Sequence, residues 1–374
     1  MIKVALVHDY LKEYGGAERV LAALSEIWPK APIYTAFCDR NSTSGKAFAQ
    51  KKIIESWLAP LIKYKNLYSP LRFLAPAIWR SFDFTDCDIV VASSSWYISR
   101  GFKVGPKTKV FCYCHTPPRY LYGYSTSIEW QRYWPVRVYA LLVNHFLRLY
   151  DFRSAQTVAQ FIVNSRNTQG RVKKFYRCDS TIIYPPVEVD KIKKATASLK
   201  PENFYLVVSR VVGAKGIELA IEAAKKLKIP LKIIGETAGL YWFAQGVGRL
   251  QNKYVEFVGR VSDKELYRYY GRCKAFLALA TDEDFGITPV EAMAAGRPVI
   301  AFRGGGYLES VIEGKTGEFF DEPTVESLVE VLKNFKPGKY KTEDCRKQAE
   351  KFSKERFKKE IKKFIEKHAG TSRG

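Results

Sequence analysis

Short β-branched and apolar runs alternate with amphipathic helical stretches along most of this chain. The runs have the length of buried strands, and the stretches between them carry apolar residues at helical spacing. The predicted strands are Val4–Val7, Ile89–Ala92, Val110–Cys114, Phe161–Asn164, Tyr205–Ser209, Leu231–Gly235, Ala275–Ala280 and Pro298–Phe302. Alternation of this kind predicts an α/β fold with parallel, doubly wound, Rossmann-like sheets.

Paired prolines interrupt the alternation at Tyr184-Pro185-Pro186-Val187, and the strand–helix pattern restarts at Tyr205. Because adjacent prolines block both helix and strand pairing, we predict a domain boundary here. The expected domains are 1–187 and 188–345, two similar units facing each other across a cleft. Residues 346–374 carry apolar residues at helical spacing among lysines, which predicts an amphipathic helix returning toward the N-terminal domain.

Charge and cysteine usage restrict the partners and the compartment. Lys and Arg number 61 against 38 Asp and Glu, a net charge of +23 that favours anionic lipid, nucleotide phosphates or nucleic acid. The 7 cysteines are scattered, which predicts a reducing, cytoplasmic location and no metal site. The first strand does not fit a signal peptide, and the apolar stretch Val138–Leu149 is too short to span a bilayer. Any membrane contact is therefore expected to be peripheral.

The segment Thr281–Gly296 holds the most informative residues. Glu283 and Glu291 stand eight positions apart. Thr288, Pro289 and Glu291 have the spacing of an N-cap, a first-turn proline and a capping-box partner, so a short helix is predicted to begin where Phe285, Gly286 and Ile287 turn. A plain capping role for Glu291 and a solvated loop charge at Glu283 are the structural alternatives.

The turn that precedes this helix is formed by Phe285, Gly286 and Ile287. Backbone amides at such a turn can donate hydrogen bonds to sugar hydroxyls or to a phosphate, with support from the helix dipole. A carboxylate suits the same task because it can accept two hydroxyl protons at once.

This segment resembles the E-x7-E signature of the nucleotide-sugar glycosyltransferases of family 4, which is followed by a helix reading E-A-M-A-x-G. The resemblance implies a GT-B fold and retaining transfer that needs neither a cofactor nor a metal. It assigns the donor ribose hydroxyls to Glu291. It assigns the transferred sugar to Glu283 and the amides of Phe285, Gly286 and Ile287, and it places Thr288 in the same donor-binding segment.

A second candidate donor loop, Ser209–Gly216, follows a predicted strand. It contains Arg210, Gly213 and Lys215, and positive charge there can bind a diphosphate and stabilise it as it departs. The resemblance gives this role to Arg210 and Lys215, although Gly213-Ala214 departs from the commoner family pattern. Solvated loop cations are the alternative.

By family analogy Arg260 and Val261 lie near the nucleobase. The structural alternative is that they form an ordinary turn before a helix.

Two further motifs follow strands of the N-terminal half. Gly15-Gly16-Ala17-Glu18 opens a helix after His8, and such a turn allows a phosphate or an acceptor to approach the backbone closely. The resemblance includes a matching Gly-Gly-Ala-Glu, which favours a binding loop at Gly15 and Gly16 over an ordinary turn.

His115 ends a strand that continues into Thr116-Pro117-Pro118-Arg119-Tyr120. Ligands bind at such strand ends in doubly wound sheets, although a lone histidine is more often structural. The family resemblance places His115 beside the donor sugar. The His-Thr-Pro and Arg-Tyr pairs resemble O-antigen (WbaZ-like) mannosyltransferases.

Between Ser56 and Phe82 there is no acidic residue, and basic and aromatic residues interleave: Lys63, Lys65, Arg72, Arg80, Trp57, Tyr64, Tyr68, Phe73 and Trp79. This pattern is typical of a contact with an anionic membrane surface. Single-stranded nucleic acid and a buried aromatic cluster with a solvated basic face are the alternatives.

The resemblance implies a retaining, metal-independent hexosyltransferase, most directly one that moves mannose from GDP-mannose to a lipid-linked or polysaccharide acceptor. It is expected on the cytoplasmic face of the membrane, with a nucleotide sugar as donor and no nucleic-acid partner. A UDP-glucose-type transferase of the same family is the first alternative. A nucleotide-sugar epimerase and a basic nucleic-acid-binding protein are the others.

Overall fold

The computed structural model describes residues 2–64, 67–124, 126, 133–210, 215–236 and 252–370. The chain divides into two compact units. The first contains residues 1–124, 130–186 and 355–374, and the second contains residues 125–129 and 187–354.

The first unit is built on a parallel sheet of seven described strands in the order β3-β2-β1-β5-β7-β8-β9. The order reverses between β1 and β5, where Val4 pairs with Ile89 and His8 with Ser93. A separate pair, β4 and β6, lies outside this sheet. The strands are β1 Val4–His8, β2 Ile33–Thr35, β3 Ile53–Glu55, β4 Asp83–Phe84, β5 Ile89–Ser94, β6 Lys103–Val104, β7 Lys109–Cys114, β8 Gln160–Val163 and β9 Ser180–Ile182.

Helices cover both faces of this sheet, so its strands are buried on both sides. Alternate residues of β1 enter different cores: Ala5 and Val7 on one face, Leu6 on the other. The helices of the N-terminal part are α1 Gly16–Ile27, α2 Thr43–Ala47, α3 Ala59–Lys63, α4 Ala75–Arg80, α5 Trp134–Ala155 and α6 Arg166–Tyr176, with short 3-10 turns at Arg72–Leu74 and Arg119–Leu121.

The second unit repeats this design with six described strands in the order β12-β11-β10-β13-β14-β15, all parallel. The strands are β10 Tyr205–Val208, β11 Leu231–Ile234, β12 Val255–Gly259, β13 Ala275–Ala278, β14 Val299–Phe302 and β15 Gly317–Phe320. The helices are α7 Val189–Thr196, α8 Ile217–Leu227, α9 Asp263–Arg272, α10 Ile287–Ala294, α11 Tyr307–Ser310, α12 Val325–Asn334 and α13 Thr342–Glu350, with a 3-10 turn at Pro337–Lys339. The predicted fold of two Rossmann-like, doubly wound sheets is confirmed.

The last helix, α14 (Lys354–Gly370), belongs to the first unit. Its buried residues Phe357, Ile361 and Ile365 join the core on one face of the first sheet, where the Phe357 and Tyr113 rings lie 5.8 Å apart. The helix begins later than the predicted start at residue 346. Residues 346–350 instead end α13, and Phe352 turns the chain because its carbonyl accepts from the Val187 amide at 3.0 Å.

None of the helices within the described residues is both long and apolar enough to cross a membrane.

We expect the α14 contact to contribute strongly to the stability of the first unit. Phe357 is fully buried, so Phe357→Ala should lower the free energy of unfolding by about 3–5 kcal/mol through lost burial and the cavity left behind. Urea denaturation measures this loss. Lys363→Ala, on the exposed side of the same helix, is the control and should change stability by less than about 0.5 kcal/mol. Equal stability of the two variants would contradict the packing described.

Candidate active site

Both sheets place polar side chains at the point where their strand order reverses. In a doubly wound sheet the helices that follow the two central strands leave to opposite faces, which opens a crevice at the carboxyl ends of those strands. In the first unit that point lies between β1 and β5, and in the second between β10 and β13. The two sites are described in turn.

In the first unit, three side chains form a hydrogen-bonded row across the ends of neighbouring strands. His8 Nδ1 lies 3.0 Å from Ser93 Oγ, which lies 2.8 Å from His115 Nε2. His8 ends β1, Ser93 pairs with it on β5, and His115 follows β7. The parallel register therefore brings together residues that are far apart in sequence.

The Gly-Gly-Ala-Glu loop closes this row at its other end. Glu18 Oε1 lies 3.3 Å from His8 Nε2, and Glu18 Oε2 accepts from the Gly15 amide at 2.8 Å. Gly15 is the N-cap of α1 and Gly16 is its first residue. The loop thus fixes a carboxylate against a buried histidine, and the Gly15 amide is already used by Glu18.

A buried carboxylate holds the neighbouring loop in place. Asp9 accepts hydrogen bonds from the amides of Ser95, Tyr97 and Ser99 at 2.9, 3.0 and 3.2 Å. Burial raises the pKa of Asp9, while His8 and these donors act in the opposite direction. Asp9 therefore anchors the chain that leaves β5 just after Ser93.

His115 is held as a neutral imidazole. Burial among protein atoms lowers its pKa to about 3, and His8 adds to the shift, although the side chain keeps some exposure. Its backbone carbonyl accepts from Asn164 Nδ2 at 2.9 Å, which orients the residue. Two proton arrangements satisfy the row, because the Ser93 hydroxyl can donate to either histidine and accept from the other.

In the second unit, Lys215 and Glu283 form an ion pair at the equivalent position. Lys215 Nζ lies 2.7 Å from Glu283 Oε2, and the side chains are 28% and 19% exposed. Lys215 precedes α8, which follows β10, and Glu283 follows β13. The Tyr307 hydroxyl lies 3.5 Å from the same carboxylate oxygen. The predicted lysine and the first predicted glutamate are therefore brought together.

Glycines allow the chain to pack closely around Glu283. Gly286 has φ +83, and a Cβ there would approach the Tyr307 ring to 2.6 Å. Gly305 has φ +55, and its Cβ would lie 2.3 Å from the Glu283 carbonyl oxygen. The Gly306 amide donates to that carbonyl at 3.0 Å. Larger residues at Gly286 or Gly305 would displace the loop that carries the ion pair.

The predicted N-cap at Thr288 is wrong, although the helix begins at the predicted turn. Helix α10 begins at Ile287, and its N-cap is Gly286 in a left-handed conformation with no side-chain cap. The glycine turn, packed under Gly305 and Tyr307, sets the start earlier than the capping pattern indicates. Thr288 and Ile287 lie half-buried in the first turn of α10.

Glu291 accordingly lies inside α10 and is not a capping-box residue. It is 1% exposed, and its Oε2 accepts from the Tyr270 hydroxyl at 2.8 Å. Phe285 is also buried, and its ring packs 5.3 Å from that of Phe352. Glu283 and Glu291 therefore occupy different environments, one half-buried and paired with a lysine, the other fully buried.

The remaining candidates follow other strands of the second sheet. Arg210 is exposed after β10, and the chain from 211 to 214, which includes Gly213, lies outside the described residues. Arg260 follows β12 and forms an exposed ion pair with Glu236 at 3.0 Å, beside the half-buried Val261. Parallel pairing puts these residues on the same edge of the sheet as Lys215 and Glu283.

Only some residues of the basic and aromatic segment 56–82 lie at the protein surface. Trp57, Tyr64 and Phe73 are exposed, but Trp79 is fully buried and donates to the Tyr97 carbonyl at 2.6 Å. The prediction that Trp79 belongs to a surface patch is wrong, because its ring packs in the core of the first unit. Tyr68 is half-buried, with its ring 5.4 Å from that of Tyr10, and Lys65 lies outside the described residues.

Sequence reasoning did not identify Ser93, Tyr270 or Tyr307 as site residues. Ser93 carries a usable signal, since it ends a buried strand next to a strand that ends in histidine. Tyr270 and Tyr307 lie on helices whose pattern indicates ordinary packing. Their contacts with the two glutamates follow from tertiary structure alone.

The depressed pKa of His115 predicts a specific acid sensitivity. Between pH values of about 3 and 6.5, the His115 side chain binds a proton in the unfolded chain but not in the folded protein. The contribution of His115 to the free energy of unfolding is therefore complete above pH 6.5. It falls as the pH drops toward 3, by up to about 1.4 kcal/mol per pH unit. Urea denaturation from about pH 7 to about pH 4 should show a shallower decline for His115→Gln than for the wild type. The exposed His145→Gln is the control, and parallel curves for all three proteins would contradict the assignment.

Comparison with known proteins gives two consecutive family matches. Residues 14–191 match "Glycosyltransferase Family 4" and residues 188–352 match "Glycosyl transferases group 1". The alpha-1,3/1,6-mannosyltransferase ALG2 of Dictyostelium discoideum is 25% identical over 270 residues, which cover 61% of this chain and 61% of that protein, less than two thirds of its length. ALG2 of Homo sapiens is 26% identical over an alignment of 408 residues that covers 94% of this chain and 93% of that protein.

Among solved structures, Anabaena Alr3699/HepE in complex with UDP-glucose superposes on this chain with a TM-score of 0.69 at 16% identity. The superposition covers 98% of this chain and 100% of the Alr3699/HepE chain. At that identity the likeness concerns the fold, and it agrees with the two doubly wound sheets. The two family matches together span residues 14–352. Each half of the chain therefore matches a glycosyltransferase family model, and the chain has the GT-B fold.

Proposed function

We propose that this protein is a retaining mannosyltransferase that takes mannose from GDP-mannose. The ion pair between Lys215 and Glu283, at the point where the second sheet reverses its strand order, is the observation that carries the proposal. Relatives that are alpha-1,3/1,6-mannosyltransferases support the choice of sugar.

The second unit is assigned to the donor. An ammonium group has three donors, so Lys215 can keep its bond to Glu283 and still contact a diphosphate oxygen. Arg210 adds a second positive charge on the same edge of the sheet, and the amides of Phe285, Gly286 and Ile287 lie at the start of α10. The Glu283 carboxylate is assigned to the sugar hydroxyls, and Thr288 belongs to the same segment.

The nucleoside part of the donor is assigned to the remaining residues of this edge. We propose that Glu291 receives the ribose hydroxyls and that Arg260 and Val261 lie beside the base. The Tyr270 hydroxyl donates to Glu291 Oε2 at 2.8 Å and so orients this carboxylate. Arg260 would have to exchange its contact with Glu236 for one with the donor, a low cost for an exposed ion pair.

In the proposed reaction the bond between the sugar and the diphosphate breaks first, through a transition state resembling an oxocarbenium ion. Positive charge at Lys215 and Arg210 stabilises the departing diphosphate, and this supplies most of the rate enhancement. His115 is assigned to the transferred sugar. A pKa near 3 keeps its ring neutral, so it acts through a hydrogen bond to a hydroxyl and not as a cation. Gly15 and Gly16 are assigned to the loop that meets the acceptor or a phosphate.

A UDP-sugar donor is the second candidate, because the structural neighbour Alr3699/HepE is in complex with UDP-glucose. Four further features remain predictions from the sequence. They are the lipid-linked or polysaccharide acceptor, the cytoplasmic face of the membrane, the membrane contact through the exposed part of segment 56–82, and the likeness to O-antigen enzymes.

Isothermal titration with GDP-mannose, UDP-glucose, GDP and UDP tests the donor assignment. We expect GDP-mannose to bind the wild type and Glu291→Gln to bind at least about tenfold more weakly, since an amide accepts hydroxyl protons less well than a carboxylate. Glutamine keeps the volume of the buried side chain and its bond to Tyr270, so the variant should fold. Binding of UDP-glucose alone would favour the second candidate. Binding of no sugar nucleotide would refute the donor site.

Transfer itself is tested by Lys215→Ala and Glu283→Gln. Each should lower the turnover of GDP-mannose by at least about a hundredfold with an unchanged melting temperature, because half-buried charges contribute to the transition state more than to stability. Lys226→Ala removes an exposed lysine paired with Glu326 at 3.2 Å and is the matched control. Turnover should survive EDTA, since these residues supply the charge that a metal would otherwise provide. Near-normal rates in either site variant would overturn the mechanism.

A further inference from the structure

Helix α5 exposes a large apolar face although it also buries polar residues. Its buried residues are Asn144, Asp151 and Ser154 together with Ala140, Leu147, Tyr150 and Ala155. Its exposed side carries large apolar residues at spacings of three and four, which place them on one face. Their exposed fractions are Trp134 75%, Val138 51%, Leu141 71%, Leu142 59%, Phe146 69%, Leu149 44% and Phe152 36%. These seven residues are called the α5 face below.

The buried polar side fixes this orientation. Asn144 accepts from Arg72 at 3.3 Å and donates to the Tyr120 carbonyl at 3.1 Å. Asp151 accepts from Arg100 and, at 2.6 Å, from the Tyr122 hydroxyl. Rolling the helix to hide its apolar side would break these bonds and would also expose Leu147 and Tyr150, which are now buried. The α5 face is therefore held toward the surface by the core beneath it.

The border of the α5 face is positively charged. Arg137 and Arg153 are exposed on the same helix, and the Arg177 guanidinium lies 5.9 Å from the centre of the Phe152 ring. Asp151 is the only acidic residue between Trp134 and Ala155, and it is buried. An exposed apolar surface of this size marks an interaction site, and its border favours an anionic partner.

We propose that the α5 face docks on an anionic lipid bilayer, with α5 lying in the plane of the headgroups. Leucine and phenylalanine side chains would enter the acyl region, Trp134 would sit at the interface, and the arginines would meet lipid phosphates. A second copy of this chain fits less well, because it would bring one arginine border against another. This inference deepens the proposed function and rests on its lipid-linked acceptor, since docking would place the enzyme at the surface that holds such an acceptor.

Vesicle flotation tests the proposal, using phosphatidylcholine alone and phosphatidylcholine mixed with phosphatidylglycerol. We expect the wild type to float with the mixed vesicles and the double variant Leu141→Glu with Phe146→Glu to lose at least about tenfold in partitioning. Both side chains point to solvent, so the melting temperature should not fall. Leu308→Glu, an exposed leucine of the second unit at 53% exposure, is the matched control and should float like the wild type.

The charged border has its own test. Arg153→Gln should weaken flotation on the mixed vesicles by a few-fold and leave flotation on phosphatidylcholine unchanged, and added salt should reduce the difference. Equal flotation of the wild type and the double variant, or loss only in Trp57→Glu, would overturn the assignment to α5. Dimerisation of the wild type that the double variant abolishes, without flotation, would replace the bilayer by a second copy.

Titration with the sugar nucleotide separates this inference from the donor assignment. The double variant should bind the donor as the wild type does, because the α5 face shares no residue with the donor site. Failure to float with intact donor binding would reject the docking face alone, and flotation without donor binding would reject the donor site alone.

Discussion

Parallel strand pairing is the constraint on which the candidate site depends. In each sheet the strand order reverses beside a central strand, β1 in the first unit and β10 in the second, and the carboxyl ends of the neighbouring strands then open onto a crevice. His8 and Ser93 meet there by direct register, and Lys215 and Glu283 meet there through the turns that follow β10 and β13. The same geometry thus creates a polar site twice, from residues that share no local motif.

The two sites differ in their electrostatics because they differ in burial. His8 and Ser93 are almost fully buried, and desolvation holds the neighbouring His115 neutral. Lys215 and Glu283 keep part of their surface exposed and remain an ion pair. A neutral hydrogen-bonding group suits an uncharged sugar, whereas an exposed positive charge suits a diphosphate. The division of roles proposed for the two units follows this difference in solvation.

Helix α5 shows how a buried polar network can dictate what a surface exposes. The Arg100–Asp151 pair and the bonds of Asn144 hold the polar side of the helix inward, and the apolar residues are left outside as a consequence. The stretch Val138–Leu149 is too short to span a bilayer, and its sequence does not show which side is exposed, because a helical pattern defines two faces without saying which one is buried.

Local runs of apolar residues are enough to predict the doubly wound fold and eight of the fifteen described strands. The strands β2, β3, β4, β6 and β9 escape prediction because two or three residues carry too little periodicity, and β12 and β15 escape it because a glutamate interrupts each apolar run. The sequence also supplied Lys215, Glu283 and His115 as candidates. Tertiary contacts alone make Gly286 the N-cap of α10, bury Glu291 against Tyr270, place Trp79 in the core and join Ser93 to two histidines. Each of these depends on contacts between distant segments, and such contacts leave no pattern in the segments themselves.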